Sequence, residues 1–100
     1  MMKRTVWEHS IVVAVKDQVS SDLGREVAIL HLDAGMYYGL NEVGARVWSL
    51  VQEPRIVEQV QATILEEYDV DPERGKSDVL ALLQKLADEG LIEVKGEPPA

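Results

Sequence analysis

The chain has no cysteine among its 100 residues. That excludes a disulfide-stapled scaffold, a cysteine-ligated zinc site and a thiol nucleophile, and it suits a reducing compartment. Long apolar runs are missing too. The opening stretch MMKRTVWEHS carries two basic residues with no apolar segment after them, and nothing reaches the length of a membrane span. Basic charge is scarce. Ten Lys plus Arg stand against eighteen Asp plus Glu, a net charge of −8, and Lys3-Arg4 is the only adjacent basic pair. A protein that binds nucleic-acid backbones needs clustered cations to displace counterions. The expectation is a cytoplasmic protein with neither a nucleic acid nor a membrane as partner.

Catalytic constellations are missing as well. His9 and His31 are the two histidines, and neither is spaced with an acid in a metal-ligand pattern. His31 alternates within a strand and reads as a surface or boundary residue. Glu66-Glu67 and Asp88-Glu89 read as solvated helix ends, whereas an acid–base pair needs surroundings that push two pKa values apart. None of Ser10, Ser20, Ser21, Ser49 and Ser77 has a context that would activate it. The glycines form no phosphate-binding fingerprint. No enzymatic activity, metal or cofactor is expected.

What is present is a run of strands followed by a run of helices. Residues 11–15 are β-branched and apolar; residues 16–25 are polar, with Ser20-Ser21-Asp22 and Gly24, and read as a loop. Residues 26–32 form the second strand. Asp33-Ala34-Gly35 is short enough for a hairpin, and residues 36–40 are the third strand, antiparallel to the second. Asn41 can cap a helix in which Val43, Val47, Leu50 and Val51 keep helical spacing, and Glu53-Pro54 ends it. A second helix covers about 55–68, with Val57, Val60, Ile64 and Tyr68 as its stripe. The third starts either at Asp71-Pro72 or at Ser77 and runs to Glu89, with Gly90 past its last turn. Residues 91–94 read as a short strand or an extended tail, and 96–100 as frayed. This order predicts an α+β fold: a three-stranded antiparallel sheet followed by three helices, winged-helix-like. One domain over 1–100, with a core from about 6 to 94, fits the length.

The third strand poses the functional question. Met36-Tyr37-Tyr38-Gly39-Leu40 does not alternate apolar and polar residues, and no proline or charge guards its edge. Met36, Tyr38 and Leu40 share a face; Tyr38 and Leu40 are expected to pack under the helices, and part of this face near the open edge to form pocket wall. Tyr37 and Gly39 point the other way, and Gly39 reads as a bulge, or else as a close backbone approach. On the third helix Val79, Leu82, Leu83 and Leu86 form a stripe widened by Leu80 and Ala87. It is mostly core, with one margin left for a ligand. Asp78 is a first-turn acid or a ligand anchor, and Arg74 a rim contact. Trp7 and Trp48 are expected in the core or at its boundary.

These residues carry a resemblance. Tyr38-Gly39-Leu40-Asn41-Glu42, then Gly44-Ala45-Arg46-Val47-Trp48-Ser49-Leu50, resembles the strand-to-helix junction of the PqqD-like proteins, the leader-recognition domains of ribosomally made, modified peptides. Residues 60–68 look like their middle helix. Asp78-Val79, Leu82-Leu83, Leu86 and Gly90-Leu91-Ile92 are similar to their last helix and its exit. The likeness covers about 27–94. It implies a peptide site formed by Met36, Tyr37, Tyr38, Gly39, Leu40, Arg74, Asp78, Val79, Leu82, Leu83 and Leu86, where a leader lies as an extra strand against the third strand beside the third helix. It also implies partners: the leader segment of a precursor peptide, and a leader peptidase or other maturation enzyme. A free-standing chain of this size looks like the recognition protein of lasso-peptide pathways. PqqD of pyrroloquinoline quinone synthesis is the alternative, and a winged-helix nucleic-acid binder a more distant one.

With no nucleophile, base or metal set in view, the purified protein is expected to leave a precursor peptide's mass unchanged on incubation. Cleavage that survives repurification and disappears with a point substitution in this chain would contradict the non-catalytic reading.

Overall fold

The structure, a computed structural model, describes residues 5–96. Its elements are β1 (Ile11–Ala14), β2 (Gln18–Asp22), β3 (Val27–His31), β4 (Met36–Leu40), α1 (Glu42–Leu50), β5 (Arg55–Ile56), α2 (Val57–Glu67), α3 (Pro72–Asp88) and β6 (Ile92–Gly96). The α+β class holds, with three helices. The single sheet does not: there are two three-stranded antiparallel sheets, ordered β5-β1-β6 and β2-β3-β4.

The differences have physical causes. β1 is the centre of its own sheet, held by strands from the middle and the end of the chain, so nothing local in the sequence announces its partners. β2 occupies the segment expected to be a loop. It pairs with β3 from Gln18↔His31 to Asp22↔Val27, but four of its five residues are exposed. A strand with no buried face has no apolar period to betray it. Its turn is made by the residues that suggested a loop: the Asp22 carboxylate accepts from the Gly24 N–H at 2.9 Å, and the Leu23 N–H donates to the Glu26 carbonyl. α1 stops at Leu50, short of Pro54, because Arg55 and Ile56 leave the helical path to pair with β1. Of the two starts open for α3, Asp71 is the cap, accepting from the Arg74 N–H at 3.0 Å with Pro72 at the first helical position. Residues 92–96 are a strand rather than a tail. The rest of the expected frayed end, 97–100, lies outside the described residues, as does the Lys3-Arg4 pair.

The core forms where the helices meet both sheets. Val12 of β1 and Ile29 of β3 are fully buried with Val47 and Val51 around α1, Val57, Val60 and Ile64 of α2, and Leu83 of α3. Trp48 joins them. Trp7 does not; at 58 % exposure it is a surface residue, contrary to expectation. Polar links fix the helices against one another. Gln61, buried in α2, donates to the Lys76 carbonyl at 3.0 Å, and Arg46 grips the Glu67 carboxylate through Nε and Nη2 at 2.7 and 2.8 Å. That two-point hydrogen bond lowers the Glu67 pKa below its ordinary value.

α3 ends in a glycine-dependent reversal. The Leu91 N–H donates to the Leu86 carbonyl and the Gly90 N–H to the Ala87 carbonyl, with Gly90 at φ 75°. A Cβ there would also sit 3.3 Å from His31 Nε2. Gly90→Ala is therefore expected to destabilise the fold by about 1–2 kcal/mol, the cost of a left-handed L-residue, read as a lower urea midpoint at unchanged slope. An unchanged midpoint would show that the reversal relaxes freely.

Candidate functional site

Among the described residues β4 is an edge strand: within its sheet it pairs only with β3. The register runs without interruption from Val27↔Leu40 to His31↔Met36, so Gly39 is not a bulge. Tyr38 and Leu40 face inward and are half-buried against the core. Met36 shares their face but is 50 % exposed, because it lies beside the turn, past the cover that shields Tyr38 and Leu40. Tyr37, on the outer face, is 68 % exposed.

Two hydrogen bonds fasten this hairpin to the end of α3. The Tyr38 hydroxyl donates to the Glu89 carboxylate at 2.8 Å. His31 Nε2 lies 3.1 Å from the Gly90 carbonyl, while the Ala34 N–H donates to His31 Nδ1 at 3.3 Å. Since Nδ1 accepts, the proton belongs on Nε2, which donates to Gly90. The bond to Glu89 raises the Tyr38 pKa above the ordinary 10.0, with desolvation and the charge of Glu89 adding in the same direction.

At its other end β4 runs straight into α1, where Asn41 accepts from the Gly44 N–H at 2.9 Å. Between this junction and α3 lies a groove of about 670 Å³. Gly39, Leu40, Val43 and Gly44 form one side. Arg74, Asp78, Leu82 and Lys85 form the other, and they are one helical stripe of α3. Val79, Val47 and Ile64 are its buried floor. Arg74 and Asp78 approach each other at 3.9 Å, both highly exposed, so the pair is weak and can exchange partners.

The residues singled out from sequence therefore separate. Gly39, Leu40, Arg74, Asp78, Val79 and Leu82 come together around the groove. Leu83 and Leu86 are buried in the core, 0 % and 2 % exposed, and lie outside the groove lining. Their place on the far side of the stripe is what the apolar pattern alone left open. Met36, Tyr37 and Tyr38 also lie outside this groove's lining; Tyr37 lines a shallower trough on the outer face of the sheet. The site residues singled out from sequence did not include Asn41, Val43, Gly44, Val47, Ile64, Val70, Asp71, Gly75 or Lys85 of the lining. Lys85 was findable, since it continues the helical spacing of Arg74, Asp78 and Leu82. Among the described residues no group of three or more His, Cys, Asp or Glu could hold a metal ion, and no helix is long and apolar enough to cross a membrane.

Comparison with known proteins places this geometry. Residues 26–92 match the family model of coenzyme PQQ synthesis protein D (PqqD). No curated protein matches the chain. Among solved structures, TbiB1 in complex with the TbiA(beta) leader peptide is 37 % identical with a TM-score of 0.75, over 81 % of this chain and 94 % of that one. A lasso peptide synthetase B1 complexed with the leader peptide is 18 % identical, with a TM-score of 0.71 over 82 % and 96 %. The PqqD truncation of Methylobacterium extorquens PqqCD, solved by solution NMR as a functional, stand-alone recognition element, is 21 % identical, with a TM-score of 0.70 over 88 % and 94 %. The last two share the fold.

The tie between β4 and α3 has a pH signature. A phenol whose folded pKa is raised contributes stability that is full below the unfolded value of 10.0 and is lost as pH rises through the folded value. Tyr38 is thus expected to ionise later than an ordinary tyrosine in an ultraviolet titration, and Tyr38→Phe to remove that late step along with part of the alkaline stability loss. A titration with no late step, or one unchanged in the variant, would argue that the Glu89 bond does not persist in solution.

Proposed function

Since the chain belongs to the PqqD family, we propose that it is a non-catalytic, cytoplasmic leader-peptide-binding domain of lasso-peptide assembly. It captures the leader segment of a precursor peptide as a strand added to β4 and presents the precursor to a leader peptidase or other maturation enzyme. The observation that carries this reading is the unpaired edge of β4 beside an apolar groove walled by α3. The 37 % identity to a leader-bound protein supports the peptide class. The family description keeps a second reading in view, a peptide chaperone for pyrroloquinoline quinone synthesis. A winged-helix nucleic-acid role has no matching surface at the groove, where Arg74 and Lys85 are balanced by Asp71 and Asp78.

Energetics assigns roles to the parts. Fixing five leader residues as a strand costs about 5–10 kcal/mol of backbone entropy. Each ladder hydrogen bond contributes only about 1 kcal/mol net. Pairing along β4 alone does not hold the leader, so apolar side chains must enter the groove against Leu40, Val43, Val79 and Leu82. Main-chain bonds then set direction and register, while the groove sets choice. Asp78 anchors a basic side chain or a free N–H of the leader, and Arg74 and Lys85 suit acidic ones.

The test uses the TbiA(beta) leader peptide and the leader of the precursor encoded nearest this gene. On saturation the amides of residues 36–40 are expected to gain hydrogen-exchange protection, because they pass from water into a ladder. Asp78→Ala and Leu82→Ala are expected to weaken binding, with Asp78→Ala leaving the melting temperature nearly unchanged, since its side chain is 74 % exposed. Leu83→Ala is the contrast: it is expected to cost about 2–5 kcal/mol of stability through the cavity it leaves. Unchanged exchange at 36–40 under saturation would remove the edge-strand reading.

A further inference from the structure

A strand added to β4 has two faces, and the groove accounts for only one. On the outer face the register aligns Gly39 with Ala28 and then Ser21, a row of small residues across the sheet. The adjacent row is Tyr37, Leu30 and Val19, all large, apolar or aromatic, and exposed. Over Gly39 and Ala28 lies a shallow trough of about 450 Å³, lined by Leu23, Glu26, Ala28, Tyr37 and Gly39 among others, with Tyr37 its one wall from the large row.

Gly39 has no structural reason to be glycine. A Cβ built there meets nothing within 4 Å, its φ is not in the left-handed region, and no bulge interrupts the register. Glycine weakens a strand interior, so its presence at an edge calls for a cause. Strand addition does not supply one. Ladder bonds lie in the plane of the sheet, while a side chain at this position would stand out of that plane. Only something resting on the outer face needs the space.

We propose that the trough over Gly39 is a second subsite for the bound peptide, taking a large apolar side chain, best an aromatic ring, from the added-strand residue paired with Gly39. Directly opposed residues of neighbouring strands point to the same face, so that side chain is delivered to the trough by the pairing itself. An aromatic ring laid across a cross-strand glycine covers the backbone the glycine exposes, and Tyr37 and Leu23 supply its flanks. The peptide is then read on both faces: by the groove beneath and by the trough above. This rests on the strand-addition reading, which the following experiment separates from it.

The probe is the TbiA(beta) leader peptide and a set of its single-alanine variants, titrated against the wild-type protein, Gly39→Ala and Gly39→Val. Valine suits a strand and meets open space, so the melting temperature of Gly39→Val is expected to hold or rise. Its leader affinity is expected to fall by about fivefold or more, with Gly39→Ala between it and wild type. One leader variant, lacking the outward side chain, is expected to lose little or nothing further on Gly39→Val, the mark of a direct contact in a double-mutant cycle. If residues 36–40 gain exchange protection in the wild type but Gly39→Val binds within about twofold of it, the second subsite is overturned and strand addition stands. The subsite is equally overturned if no leader variant couples to Gly39, which would point to a second copy or another protein as the occupant of the outer face. Absence of both binding and protection overturns the two together.

Discussion

The hydrogen bonds from Tyr38 to Glu89 and from His31 to Gly90 set the geometry on which the exposed edge depends. An isolated hairpin is marginal in water, and β3–β4 is stabilised by the inward burial of Ile29 with Val27, Tyr38 and Leu40 beside it. The two bonds tether its turn half to the end of α3, and the Asn41 cap ties its other end into α1. β4 is thereby held along α3 while its own edge stays unpaired. Gly90 is the shared point. Its left-handed backbone turns the chain out of α3 toward β6, which pairs with β1, and its carbonyl receives His31 from the other sheet. One residue thus couples the two sheets.

The net charge of the chain acts on the proposed site at long range, while within the groove the charges balance. The chain carries −8 overall, yet the groove lining balances Asp71 and Asp78 against Arg74 and Lys85. With a screening length of about 8 Å at physiological salt, the excess acid elsewhere affects how fast a basic peptide arrives more than how it sits. On the proposed reading, choice among bound peptides falls to apolar fit and to individual charges along the α3 stripe. An exposed Arg74–Asp78 pair at 3.9 Å suits that role, since little is lost when either member turns to a ligand.

Where the sequence was legible, a buried face or a cap had left a periodic mark. β3 and the three helices have one, as do the Asn41 cap and the Gly90 stop, while β4 was legible from its bounds, the Asp33-Ala34-Gly35 turn before it and the Asn41 cap after it. β2 had none, because its stability comes from main-chain pairing with β3 rather than from burial. The sheet around β1 was invisible because pairs such as Ile11↔Ile56 and Ala14↔Ile92 join segments far apart in sequence. For the candidate groove, the sequence pointed to β4 and α3 but could not divide the faces of α3. Val79, Leu82, Leu83 and Leu86 are all apolar, so hydropathy could not divide groove from core. The charged neighbours could: Arg74, Asp78 and Lys85 share the side of Leu82, while Leu83 and Leu86 lie on the other.

The β2-β3-β4 sheet has two free edges, and the difference between them explains why one suits a peptide. Beside β2, the inner side faces a cleft lined by Ser20, Asp22, Arg25, Glu42, Arg46 and Ser49, among others. An incoming strand would have to desolvate charged and hydroxyl groups there, many of which already have partners, such as Arg46 with Glu67. Its ladder bonds alone would not offset the ordering of the peptide. Beside β4, the floor is Leu40, Val43, Val47, Ile64, Val79 and Leu82, and the charged groups stand at the rim. Val27, Ala45, Trp48 and Tyr68 also line the cleft beside β2, but the apolar lining beside β4 is more extensive, so apolar burial can add more to a ladder on that side. The absence of a guarding lysine or proline on β4 accords with the proposed strand addition, since a charge within Met36–Leu40 would protect the edge from stray pairing and also spoil the face an added strand would use.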